Sequence, residues 1–373
     1  IVRLSGYFAK QLWAPAILII SLCIWLQLNG GLSLSHLKVV GVTTLYLGLY
    51  ASIGRFFKTS ASFLITISFL TIGSYAFGGW SLLIGAGLVG VLSIVSLERE
   101  SPNPVCLPNW LSIGGISDIA AVIIFSVYVI GKFLLPDIDL PDRLIQGRRD
   151  LIDKDELFFL SIASTILKTG VPSTGVDGFP YYSYHNLWPY LLACVARMTA
   201  SAPFEVYRAT IGLFLFPAVI HAVVLYFRTI GAPRGSLFLF LVLIMGIPLI
   251  SDPLFRAFSM WTMSSGLTLS FIFLTIYLSV QREWNISGPN IVLAALASYA
   301  KISTGVVIFL ANIALVLKRD TAIKNKVFWV SANCIGLGAM LFITMGYWGN
   351  GDIGRDQEAY MSYISPKIDL GFI

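Results

Sequence analysis

Four carboxylates, Asp150, Asp153, Asp155 and Glu156, crowd into seven residues and run straight into Leu157-Phe158-Phe159. Neighbouring acids of this kind can act as a base or bind a cation. Charged groups beside long apolar helices are costly, so carboxylates gathered there point to a site; the plainer reading is a helix cap on a solvated loop. A second group is aromatic: Tyr181, Tyr182, Tyr184, His185, Trp188 and Tyr190, followed by Glu205, Tyr207 and Arg208. His185, one of three histidines, sits in this aromatic-rich segment on the same side as the carboxylates and reads as a catalyst or as a hydrogen-bonded interfacial residue, while most of the Tyr and Trp residues read better as an interfacial belt. The third group surrounds Lys301 in Ala300-Lys301-Ile302-Ser303-Thr304-Gly305. There an ammonium ion, two hydroxyls and exposed N–H groups could meet an anionic group at a helix start, with snorkelling of a helix-end lysine as the alternative. Arg256, with Asp252 in another polar break, offers a second cation.

The elements that must hold these residues are helices in a bilayer. Of 373 residues, 57% are hydrophobic and 12% charged, a balance that a water-soluble domain could not solvate. The net charge of +6 is scattered singly between apolar runs, which argues for topology signals and against a nucleic-acid partner. The four cysteines lie far apart, without a metal or disulfide pattern. Ile1 at the start and apolar Leu370-Gly371-Phe372-Ile373 at the end read as a piece of a longer chain, with no cleavable signal peptide expected in it.

A crossing needs about 20 apolar residues, and such runs fall at 12–28, 39–54, 60–77, 80–97, 117–135, 204–227, 236–250, 260–280, 291–300, 306–317 and 327–347. The expected fold is therefore an all-α polytopic integral membrane protein with about 11 transmembrane helices. The pair flanking Lys301 reads as a hairpin of half-length helices. Arg3, Lys10, Arg55, Lys58, Arg228, Arg234, Arg282, Lys318, Arg319, Lys324 and Lys326 then share one face, which the excess of positive charge makes cytoplasmic. That arrangement holds if 186–200, with Pro189 early and Arg197 late, is an amphipathic helix in the interface and not a crossing. The acids open a second amphipathic run over 157–167, so both juxtamembrane helices belong to a large extracytoplasmic loop, 136–203. The expected division is an N-terminal transmembrane extension at 1–116, a core at 117–347 and an extracytoplasmic tail at 348–373. Asn285-Ile286-Ser287 is a formal glycosylation acceptor, but this topology leaves it in the cytoplasm.

In order, spacing and side, the three groups resemble the GT-C superfamily of polyprenyl-phosphate-dependent membrane glycosyltransferases. Asp155-Glu156-Leu157-Phe158-Phe159 is similar to that family's Asp-Glu-aromatic motif, and Asn186-Leu187-Trp188-Pro189-Tyr190 to its interfacial helix. Glu205-Val206-Tyr207-Arg208-Ala209 resembles the start of its next span, and Ala300-Lys301 with Gly305 its Lys-bearing turn. The family's acidic loop follows the first span, whereas about four spans precede the corresponding helix here. The resemblance implies an inverting transfer of a sugar from a polyprenyl-phosphate donor to a glycan, lipid or protein acceptor on the extracytoplasmic face of a bacterial inner membrane. Asp155, or Asp153 in its place, would be the base or hold Mg or Mn, and Glu156 would orient the acceptor. Lys301, and Arg256 with it, would neutralise the lipid phosphate, while His185, Tyr182 and Arg208 would bind substrate. Two adjacent acids and a distant histidine do not define a closed ligand set, so the metal stays open. Three rivals remain: an O-antigen polymerase or ligase, favoured by the Arg148-Arg149 pair; a transporter, which calls for two matching halves; and a non-catalytic subunit of a larger complex.

Overall fold

The computed structural model describes residues 12–54, 59–99, 113–130, 154–170, 172, 187–250, 265–281, 288–318 and 322–345. Helix is the regular structure throughout these residues, and no strand occurs among them. The chain order is α1 (Trp13–Leu28), α2 (Leu34–Ile53), α3 (Thr59–Phe77), α4 (Ser81–Arg99), α5 (Ile113–Val129), α6 (Lys154–Thr169) and α7 (Leu187–Thr199). There follow α8 (Pro203–Thr210), a π-helical turn (Ile211–Leu215), α9 (Phe216–Ile230), α10 (Ser236–Ile250), α11 (Ser265–Gln281), α12 (Gly288–Ala300), α13 (Ile302–Lys318) and α14 (Ile323–Met345). A helix occupies each apolar run named above, and the architecture is compatible with an α-helical membrane protein.

Among the described residues two helical runs are long and apolar enough to cross a membrane, Ser62–Leu92 and Pro203–Ile230, and they take opposite places in the fold. The apolar window of the second is 89% buried inside the protein and that of the first only 11%. Pro203–Ile230 is therefore the axis, and Ser62–Leu92 forms part of the outer wall. The outer run is interrupted at Gly78, whose φ of 54° starts a 3₁₀ turn between α3 and α4. Glycine contacts give the direction of α4: Gly41 faces Leu82, Gly85 faces Leu45 and Gly48 faces Val89. Both numbers of each pair rise together, so α2 and α4 run parallel and α3 must return between them. Large apolar side chains stay exposed on the outside, among them Leu83 at 66%, Ile335 at 71% and Phe342 at 77%. A surface of that kind suits hydrocarbon better than water.

The axial helix carries a proline just after its π turn. Pro217 has no N–H, so the carbonyl of Leu213, four residues earlier, loses its helical donor, and the chain relaxes there into the π turn. The hydroxyl of Thr43 in α2 replaces that donor, 2.6 Å from the Leu213 oxygen and 3.0 Å from the Val39 oxygen of its own helix. Other buried hydroxyls are satisfied within their own helices: Thr66 donates to the Ser62 carbonyl, Thr210 to that of Val206 and Ser298 to that of Ala294. Asp118 has a different task. Its Oδ1 accepts the Phe238 N–H at 2.9 Å and its Oδ2 the Gly235 N–H at 3.1 Å, so a carboxylate of α5 caps the N-terminus of α10.

The hairpin of α12 and α13 is tighter than expected, because 302–305 join the second helix and leave Lys301 as the whole connection. A Cβ added at Gly305 would lie 2.6 Å from Ser298 Cβ and 2.7 Å from its Cα, a contact only glycine permits. Gly305→Ala is expected to cost roughly 3 kcal/mol. Because the clash includes the Ser298 backbone, Ser298→Ala should not restore the lost stability. Thermal unfolding of the two variants, single and combined, checks this.

Candidate functional site

The acids stand at the start of an amphipathic helix, as expected. Asp155 and Glu156 occupy the first turn of α6, whose inner face buries Leu160, Ile162, Ala163 and Ile166. Of these two acids the backbone position is described; Asp153, Tyr182, His185 and Arg256 lie outside the described residues.

Helix α7 covers residues 187–199, close to the expected span, and lies deeper than an interfacial helix needs to. Trp188, Leu192, Val195 and Ala196 are fully buried, and α7 touches α2, α3, α6, α8, α11 and α12. It is thus the element shared by the acid-bearing α6 and by α12, which ends at Lys301. Arg197 fastens the arrangement: its Nη2 donates to the Leu167 carbonyl at 2.8 Å, satisfying an open acceptor at the end of α6. Its guanidinium also lies 4.4 Å from the centre of the Tyr75 ring in α3. One side chain therefore ties together α3, α6 and α7.

Arg208 sits half-buried in the last turn of α8, beside buried Tyr207, whose ring meets Trp188 edge-on at 5.8 Å. Glu205 reaches back to accept the Ala202 N–H at 3.1 Å and so caps α8. Lys301 is half-buried in the one-residue turn, where its N–H bonds to the Ala297 carbonyl at 2.8 Å. Its own carbonyl accepts from Thr304 at 3.0 Å and Gly305 at 3.3 Å. The Gly305 N–H is therefore used inside the turn and is not open to a ligand. The Lys301 ammonium, by contrast, has no protein partner among the described residues.

Beneath α7 lies a cavity of about 400 Å³, within the size range of small-molecule sites. Leu, Ile and Phe side chains of α3, α7, α11 and α12 make most of its wall, with the π turn contributing Phe214 and Leu215. Polar groups are few: Tyr46, Ser68, Thr71, Tyr190, Cys194 and Tyr299. Tyr299, one of the wall residues, stands two residues before Lys301 in the chain. Behind the wall, the Tyr46 hydroxyl lies 3.4 Å from Nδ1 of fully buried His221, and the Tyr50 ring packs on that imidazole at 4.5 Å.

Asp118, the Arg197 bond and the cavity do not appear among the residues singled out from the sequence. A lone acid in the apolar run around 118 is a visible signal, as is Pro217 inside an apolar helix. The cavity has no local signal, because its wall is assembled from six separate stretches of chain. Among the described residues no three His, Cys, Asp or Glu side chains are grouped to hold a metal. Compared with known proteins, the chain finds no significant match to a family model, a curated protein or a solved structure.

Arg197→Ala should release α6 from α7. The lost hydrogen bond from a charged donor is worth roughly 2 kcal/mol, and faster amide hydrogen exchange over 158–170 in the variant would show it. Arg197→Lys, which keeps a cation but not the planar fork, should fall between the two.

Proposed function

We propose that this chain is an integral membrane glycosyltransferase that moves a sugar from a polyprenyl-phosphate donor to an acceptor hydroxyl outside the cytoplasm. The observation that carries the reading is Lys301: a half-buried lysine whose ammonium has no protein partner among the described residues, two residues along the chain from Tyr299 in the wall of an apolar cavity of about 400 Å³. A cation beside an apolar slot matches a ligand that joins a phosphate to a hydrocarbon chain. The acids at the start of α6, connected to the Lys301 hairpin through α7, supply the second half of the chemistry.

In this reading the eleven apolar runs cross the membrane, with the basic loops in the cytoplasm and α6 and α7 on the far side. The acceptor oxygen attacks the anomeric carbon as the bond to the donor phosphate breaks, and the electron pair leaves with the lipid phosphate. Asp155 takes the acceptor's proton and Glu156 orients that hydroxyl. Lys301 stabilises the charge growing on the departing phosphate, with Arg256 as a second cation. His185, Tyr182 and Arg208 hold the sugar and phosphate, and Asp153 supports the acidic pair. A divalent cation, Mg or Mn, would use Asp155 as one ligand. The enzyme works in a bacterial inner membrane, and its acceptor is a glycan, lipid or protein.

The test compares purified wild type with Asp155→Asn and Lys301→Ala in detergent, scoring binding and turnover of polyprenyl-phosphate sugars. Loss of a charge-stabilising contact in the transition state is expected to lower turnover about 10²–10³-fold. Asp155→Asn should spare donor binding, whereas Lys301→Ala should weaken it. Absence of lipid-sugar binding, or turnover indifferent to both changes, overturns the reading in favour of a non-catalytic subunit or a transporter.

A further inference from the structure

Well away from Lys301, three helices bring buried amide side chains to one level. Asn290 of α12, Asn312 of α13 and Asn333 of α14 are 6%, 2% and 0% exposed, yet each keeps a polar atom without a partner. The unsatisfied atoms are Asn290 Oδ1, Asn312 Nδ2 and Asn333 Oδ1. Leaving such atoms unpaired in an apolar interior is costly.

Helix register brings them together. Ser298 meets Gly305 across the antiparallel α12–α13 hairpin. Eight residues back from Ser298 is Asn290, and eight on from Gly305 is Ile313, next to Asn312. Gly336 meets both Phe309 and Ile291. Three residues back from Gly336 is Asn333, and three on from Phe309 is Asn312, a spacing that keeps each on the same helix face. Ile291 is the neighbour of Asn290, which places all three asparagines within about one helical turn of a common level. The fourth helix adds Tyr277 of α11, whose hydroxyl donates to Asn312 Oδ1 at 2.9 Å. That bond orients the Asn312 amide and turns its NH₂ away from Tyr277.

We propose that these residues form an internal binding site for a small hydroxylic molecule, water in the cell. Two carbonyl oxygens need donors and one NH₂ group needs an acceptor. A water molecule offers two O–H donors, one for Asn290 Oδ1 and one for Asn333 Oδ1, and accepts from Asn312 Nδ2. A cation fits poorly, because one of the three open groups is a donor and no carboxylate accompanies them among the described residues. The site clamps α12, α13 and α14 at the end remote from Lys301, while the glycine contact at 305 closes the near end. The clamp is independent of the catalytic reading above.

The test is a thermal-unfolding cycle on the full chain in lipid nanodiscs with Asn290→Leu, Asn333→Leu and the double variant, supported by Asn290→Ser and Asn333→Ser should a leucine variant not fold. Each single change is expected to lower the melting temperature by several degrees, and the double change to lower it no further than the worse single one, since both depend on the same molecule. Additive losses, or single variants as stable as wild type, overturn the site. A wild-type structure at a resolution that shows ordered solvent gives a second readout. A solvent peak within hydrogen-bond reach of all three atoms supports the site, whereas amides paired directly with one another, or an empty gap, contradict it.

Discussion

Pro217 has no N–H to give to the carbonyl of Leu213, and that carbonyl accepts the hydroxyl of Thr43 from another helix. In an apolar interior an unpaired carbonyl cannot turn to water, so the axial helix is tied to α2 through Thr43. Much else follows from that bond. The π turn it serves sets Phe214 and Leu215 into the cavity wall, and α2 brings Tyr46 to the same wall. Asp118 capping α10 and Arg197 capping the end of α6 apply the same rule at helix ends: open backbone groups inside this fold are satisfied by side chains from neighbouring helices.

Close backbone approach supplies the second level of order. Glycines at 85, 305 and 336 sit where an added Cβ would meet neighbouring atoms at 3 Å or less. Close packing at these small residues gives the helices defined register. The same register carries the functional reading, since it sets Lys301 in a turn with no slack, and α7 joins that hairpin to the helix that begins with the acids.

Apolar runs were legible in the sequence because helix length in a bilayer is a physical constant, and helices were expected wherever the structure has them. The amphipathic pattern around 157–167 likewise foretold α6 with its acids in the first turn. Less was visible at Lys301: the apolar runs suggested two half-length helices, 291–300 and 306–317, but the connection is one residue, and Gly305 permits a contact that sequence spacing does not reveal. The cavity and the asparagine level were invisible because both depend on which helices become neighbours. Asp118 illustrates the middle case, an acid whose presence in an apolar run signals a task but whose partner, 117 residues away, only the fold identifies.

The dependence of the fold on the Thr43 bond can be measured with a double-mutant cycle between Thr43→Val and Pro217→Ala, scored by unfolding of the full chain in lipid. Thr43→Val keeps the shape of the side chain and leaves the Leu213 carbonyl without a donor, so it should cost about 1–3 kcal/mol in the wild-type background. In the Pro217→Ala background residue 217 regains its N–H, and the same change should cost little. An equal loss in both backgrounds, or none in either, would contradict the account.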